Sequence, residues 1–169
     1  MNDKLYPVDP SLLEENPFKL IGLDWMLITA GVLDNFNTMT ASYGTLGELW
    51  HRPVAYCYIR PTRHTYQFME KHNHYSLSFF DEKYRDILKR CGSKSGRDID
   101  KMKGIGLTPV SDDSGAVYFS EARLVMICRK IYYQDIDPAN FLDSKIDSEY
   151  NNDYHRSYIG QIIRCLMKK

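Results

Sequence analysis

Asn35-Phe36-Asn37-Thr38-Met39-Thr40-Ala41-Ser42 and Arg60-Pro61-Thr62-Arg63-His64-Thr65 flank the segment Pro53-Val54-Ala55-Tyr56-Cys57-Tyr58-Ile59. The middle segment is β-branched, aromatic and alternating, the pattern of a strand. The first places hydroxyls and small side chains where a strand runs into a turn. The last places two arginines and two threonines at the end of the next strand, just before a helix. Hydroxyls, free backbone N–H groups and guanidinium forks together neutralise and hydrogen-bond the oxygens of a phosphate monoester. The stretch reads as a cradle for a phosphate and a flat ring, as in a nucleotide-like cofactor.

Outward from this stretch, strands dominate. Trp25 to Gly31 reads as a buried strand, Thr38 to Tyr43 as a second extended piece, Gly44 to Arg52 as a loop, and Pro53 to Arg60 as the third strand. Thr65 to His74 has a mixed apolar face and reads as a helix. His74 to Phe80 alternates again, with Tyr75, Leu77 and Phe79 on one side. Asp81 begins a helix through Arg90, with Gly92 as its stop. Ile99 to Lys103 reads as a brief helix closed by Gly104. Gly115 to Ser120, Ala122 to Gln134 and Ser157 to Met167 read as strands, with Gly160 at a bulge or a close backbone approach. Near the N-terminus, Asp9-Pro10-Ser11 starts a capped helical turn that Asn16-Pro17 breaks. Asp137-Pro138 starts another such turn. Helices do not alternate regularly with the strands, and no Gly-x-Gly-x-x-Gly turn follows one, which disfavours a doubly wound fold. The expected class is mainly β: a closed antiparallel barrel with helical insertions, built as a single domain over residues 1–169 with an N-terminal extension at 1–15.

Composition narrows the function. Lysine plus arginine equals aspartate plus glutamate at 22 each, so no global field attracts nucleic acid or an anionic membrane. The most apolar run, Trp25 to Leu33, is far shorter than the ~20 residues of a membrane span. No apolar signal segment opens the chain, and the expected location is cytoplasmic. Cys57, Cys91, Cys128 and Cys165 form no Cys-x-x-Cys pair, which argues against a zinc ribbon and for small core residues. The histidines form no metal-ligand set with nearby carboxylates, and Ser42 and Ser76 lack a nucleophile elbow. Thirteen tyrosines and seven phenylalanines suit sheet surfaces and a flat ring ligand.

Three motifs carry a resemblance. Asn37-x-x-Thr40-Ala41-Ser42, followed after a loop by Pro53 to Thr65, resembles the flavin reductase-like family of FMN-binding split barrels. The polar loop Ser93 to Asp98 with Asp100-Lys101 resembles that family's loop bordering the cofactor near the partner subunit. Asp153-Tyr154-His155, with Gly160 beyond, is similar to its C-terminal Asp-His-x-x-x-x-Gly segment, with Tyr154 as an extra residue. The resemblance implies a split β-barrel, flavoredoxin-like, that binds FMN without a covalent bond and forms a homodimer. Carried over, Thr38, Met39, Thr40, Ala41 and Ser42 face the flavin. Arg60, Thr62, Arg63 and Thr65 hold or border its phosphate, Ser95 and Arg97 approach from the loop, and His155 lies near flavin or nicotinamide and assists protonation or orients substrate. The implied activity is hydride transfer from NADH or NADPH to FMN, with electrons passed to free flavin or another acceptor. The alternative implied by the same resemblance is an electron carrier that keeps FMN but has no nicotinamide site.

Overall fold

The computed structural model describes residues 4–169; residues 1–3 of the N-terminal extension lie outside it. Ten strands appear in chain order: β1 (Leu5–Val8), β2 (Met26–Val32), β3 (Asn35–Ala41), β4 (Gly44–Glu48), β5 (Pro53–Ile59), β6 (His74–Phe79), β7 (Pro109–Ser111), β8 (Val117–Phe119), β9 (Leu124–Asp135) and β10 (Arg156–Lys168). Two helices of more than one turn, besides a π-helical segment at Phe18–Leu23, are α1 (His64–Lys71) and α2 (Arg85–Ser93). Among the described residues no helix is long and apolar enough to cross a membrane.

Eight strands form one antiparallel sheet in the order β3-β2-β6-β9-β10-β5-β4, with β1 paired to the far end of β10. Alternation sorts its residues between two cores. Met26, Ile28 and Ala30 of β2, Tyr75, Leu77 and Phe79 of β6, and Leu124, Met126 and Cys128 of β9 point into the barrel. Leu27, Val125 and Ile127 point outward, where Leu88 and Cys91 of α2 and Phe119 of β8 cover them. All four cysteines are buried and free.

The barrel is split rather than closed: β3 and β4 are the sheet's two edges and are joined through Ser42 and Tyr43 instead of a hydrogen-bonded ladder. A slot therefore opens between the free edge of β3 and the β4–β5 side.

Several sequence expectations change. Gly44–Arg52 is not a loop: Gly44–Glu48 is a strand paired with β5, turned by Trp50 and His51 at φ 54° and 56°. A two-residue turn of this kind needs positive φ at both positions and is ordinarily signalled by Asn-Gly. Leu5–Val8, within the N-terminal extension, is a short edge strand. The helical turn Pro10–Leu12 ends before Asn16-Pro17, and Asn16 also opens the next segment, its Oδ1 accepting from the Phe18 and Lys19 amides at 3.0 and 3.4 Å. Ile99–Lys103 is a run of turns, because Asp100 Oδ1 accepts from the Met102 amide at 2.9 Å and competes with helical bonding. Gly92 lies inside α2, not beyond it. Gly160 marks both expected features: the β9–β10 register shifts there, and a Cβ would sit 2.2 Å from the Tyr75 hydroxyl oxygen.

Candidate functional site

A cavity of about 440 Å³ lies at the split. Its walls are Met39 to Ser42 from the β3 edge, Tyr43 from the link to β4, Tyr58 at the end of β5, Arg60, Thr62 and Arg63 leading into α1, and Asp153 and His155 before β10. Eight of the residues singled out in the sequence meet here: Met39, Thr40, Ala41, Ser42, Arg60, Thr62, Arg63 and His155. A second space of about 450 Å³ shares Thr40, Ala41, Ser42 and Arg63 and continues past Trp25 to Leu88 and Gly92 of α2. A third, of about 420 Å³, meets the first at Ser42 and Tyr43; no charged residue lines it. Together they make a continuous groove that is cationic on one side of Ser42–Tyr43 and uncharged on the other.

The charge comes from two guanidiniums without carboxylate partners. Arg60 Nη2 donates to the Glu149 carbonyl at 3.2 Å, and its guanidinium lies 5.2 Å from the centre of the Tyr150 ring. Arg63 Nη2 donates to the Gly92 carbonyl at 3.0 Å. Among the described residues neither forms an ion pair within 4.0 Å. Burial, and then the neighbouring Arg60, pull the Arg63 pKa down from its ordinary value. The carboxylate lining this cavity is that of Asp153, which accepts a hydrogen bond from the Thr62 hydroxyl. Two like charges held together with so little compensation make a site for an anion.

β3 contributes its backbone. The Thr38 carbonyl accepts from Lys101 Nζ at 2.8 Å, so it points away from β2, toward the open edge. Groups of one strand residue share a direction that alternates along the chain, which puts the Thr40 N–H and C=O on this same edge. The Thr40 side chain is already used: its hydroxyl donates to the Leu88 carbonyl of α2.

His155 is 8% exposed and sits among Tyr43, Tyr58 and Tyr150, with its Nδ1 3.1 Å from the Tyr150 hydroxyl. Burial lowers its pKa to about 4, Arg60 and Arg63 add to that, and Asp153 opposes it. At neutral pH the imidazole is uncharged and can orient a partner by hydrogen bonding without carrying charge.

Four of the singled-out residues stand elsewhere. Thr38 is buried, taking a hydrogen bond from Thr29 Oγ1 at 2.9 Å and donating to the Ile28 carbonyl at 3.3 Å. Thr65 is buried and accepts from Asn37 Nδ2 at 2.6 Å. Ser95 Oγ accepts from the Arg97 amide at 3.2 Å within their own loop, and neither residue lines the cavity. Conversely, Tyr43 and Tyr58, which line the cavity, and Tyr150, which meets His155, are not among the site residues singled out in the sequence, nor is Lys101, although Tyr58 and Lys101 stand within quoted motifs.

Solved structures share this architecture. The chain is similar to the FMN-binding protein from Thermus thermophilus with bound p-hydroxybenzaldehyde, at 18% identity and a TM-score of 0.70 over 96% of this chain and 78% of that one. It is similar to the flavoredoxin of Desulfovibrio vulgaris (Miyazaki F), at 20% identity and a TM-score of 0.69 over 96% and 78%. The NADH:FAD oxidoreductase of Streptomyces globisporus C-1027 follows at 14% identity and 0.66 over 86% and 75%. At such identities these are likenesses of fold. No curated protein matches the chain. Its sequence matches the flavin reductase like domain over residues 21–167, nearly its whole length, and the chain belongs to that family.

Proposed function

We propose that this protein binds FMN in the split of its barrel and acts as an NAD(P)H-dependent flavin reductase. The observation that carries the reading is the pair Arg60 and Arg63, two guanidiniums bordering one cavity with no carboxylate of their own. The groove fits the group by its donor set. Its cationic side suits a phosphate, the uncharged side beyond Ser42–Tyr43 suits a flat apolar ring, and the volumes fall in the ~300–1,000 Å³ range of small-molecule sites.

In this reading Arg60, Arg63 and Thr62 hold the phosphate. The open edge of β3 at Thr40 to Ser42 offers backbone hydrogen bonds where the phosphate side meets the ring, Met39 and Ala41 floor the cationic cavity, and Phe18, Ile21 and Leu46 line the uncharged space that takes the ring. Thr38 and Thr65 support the cradle from behind, and Ser95 and Arg97 are left outside it. The chemistry supplied by FMN when bound is acceptance of hydride from NADH or NADPH and passage of electrons to free flavin or another acceptor. Neutral His155, fixed by Tyr150, orients the substrate at the mouth of the cavity; its low proton affinity argues against a role as a standing acid. The exposed Trp50 of the β4–β5 hairpin and Tyr132 of β9, whose rings meet with centroids 6.3 Å apart, support a homodimer through that face.

Anaerobic stopped-flow mixing of the FMN-bound protein with NADH and with NADPH tests the activity. Bleaching of the flavin band by either donor is expected. Binding of FMN with no bleaching by either would replace the reductase with a flavin-bound electron carrier.

A further inference from the structure

Lys101 is buried at 4% exposure, and its ammonium has no carboxylate within ion-pair distance among the described residues. It donates instead to two carbonyls, Thr38 on the open edge of β3 at 2.8 Å and Cys91 in the last turn of α2 at 3.0 Å. Isolated buried ammonium groups are costly, and helix C-terminal carbonyls are among the few neutral partners that favour a cation. The same end of α2 takes two further bonds: Thr40 Oγ1 donates to the Leu88 carbonyl and Arg63 Nη2 to the Gly92 carbonyl at 3.0 Å. Three successive bonds thus tie this helix end to β3, to the 94–106 segment and to the groove. Thr40 joins β3 to α2 directly, and Lys101, donating to Thr38 and Cys91, ties the same two elements to the segment that carries it. The segment carrying it is itself pressed home, since a Cβ at Gly96 would sit 2.1 Å from Asn37 Oδ1.

Resting on the reading of the groove as an FMN site, we propose that Lys101 is a positioning residue for the phosphate end: by pinning the last turn of α2 to the β3 edge it fixes the Gly92 carbonyl, and through it the Arg63 guanidinium. Lys101 does not line the cavity where Arg63 stands, so it acts through Arg63 and not by touching the ligand. Its charge adds to the positive field behind the cradle, and burial lowers its pKa to about 8, so it is largely protonated at neutral pH.

The test compares FMN with riboflavin, which lacks the phosphate, by fluorescence titration of the full chain and of Lys101→Met, with circular dichroism as the folding control. Lys101→Met is expected to weaken FMN about tenfold and riboflavin less than twofold. Lys101→Gln, which keeps a donor for the two carbonyls, is expected to recover FMN binding to within about threefold of the parent. Combining Lys101→Met with Arg63→Ala is expected to weaken FMN no more than Arg63→Ala alone, because the two act in series. Equal losses for FMN and riboflavin, or additive losses in the double variant, would overturn the assignment. If Lys101→Met does not fold, Lys101→Gln decides: a phosphate-independent loss, or a loss as large as that of Arg63→Ala, overturns it. A parent chain that binds neither flavin would instead refute the reading of the groove on which the assignment stands.

Discussion

Replacing Arg63 with alanine removes a guanidinium that borders both the 440 Å³ and the 450 Å³ spaces and takes part in no ion pair among the described residues. A hydrogen bond to a charged partner contributes about 1.5–3 kcal/mol. At about 1.4 kcal/mol per tenfold, Arg63→Ala is expected to raise the FMN dissociation constant from about tenfold to somewhat over a hundredfold. The fold should tolerate it. The internal bond lost is the charge-assisted one to the Gly92 carbonyl, at most about 1.5–3 kcal/mol in this part-buried setting, or several degrees in Tm for a chain of this size. Arg63→Lys keeps the charge without the planar fork and should fall between. The assay is fluorescence titration with FMN and riboflavin at fixed ionic strength, beside a thermal melt. An unchanged FMN dissociation constant would remove Arg63 from the site. An equal loss for riboflavin would show that the guanidinium acts on shape and not on phosphate.

Asp153→Asn removes the carboxylate of the cationic cavity while keeping an acceptor for Thr62, and should tighten FMN binding about two- to tenfold for charges some ångströms apart in a partly wet site; weaker binding would make Asp153 a contact. Gly160→Ala would drive a Cβ to 2.2 Å from the Tyr75 hydroxyl and 2.8 Å from the Cys128 Cβ. It should destabilise by about 1–3 kcal/mol, with Tyr75→Phe in the same chain recovering part of the loss; an unchanged melting temperature would contradict that packing. His155 supplies a pH dependence. Its folded pKa of about 4 lies below the usual 6.5, so the unfolded chain binds the extra proton and stability falls as pH drops through that window. The full contribution is present above pH 6.5. Denaturant melts of His155→Gln against the parent should show the slope between pH 7 and 5 reduced by on the order of 2 kcal/mol; parallel curves would mean that the imidazole titrates normally.

Much of this architecture is written in local pattern. Met26 to Ala30, Tyr75 to Phe79 and Leu124 to Cys128 alternate because one sheet face fills the barrel and the other meets α2 or the β7–β8 hairpin. The hydroxyls of β3 and the arginines after β5 were readable as one cradle because both flank an unmistakable strand. What was not readable depends on distant partners. Gly44–Glu48 has two glycines and no alternation, and becomes a strand by pairing with β5 around a turn that Trp50 and His51 do not advertise. Leu5–Val8, with Pro7 inside it, is a strand through the end of β10. Thr38 and Thr65 share the cradle's motif, yet both are buried, Thr38 bonded to Thr29 and the Ile28 carbonyl of β2 and Thr65 to Asn37. Lys101 stands within the loop motif, but its burial and its bonds to the Thr38 and Cys91 carbonyls are not legible there.

The central claim is that the split holds FMN, and the most direct measurement is the absorption spectrum of the freshly purified protein, with chromatography of whatever heat releases and a fluorescence titration of the remainder with FMN. The expected result is a flavin spectrum with FMN in the supernatant, or stoichiometric quenching of added FMN by a protein that lost its cofactor in preparation. A colourless protein that leaves added FMN fluorescence unchanged would contradict the account, and the groove lined by Arg60 and Arg63 would belong to some other anion.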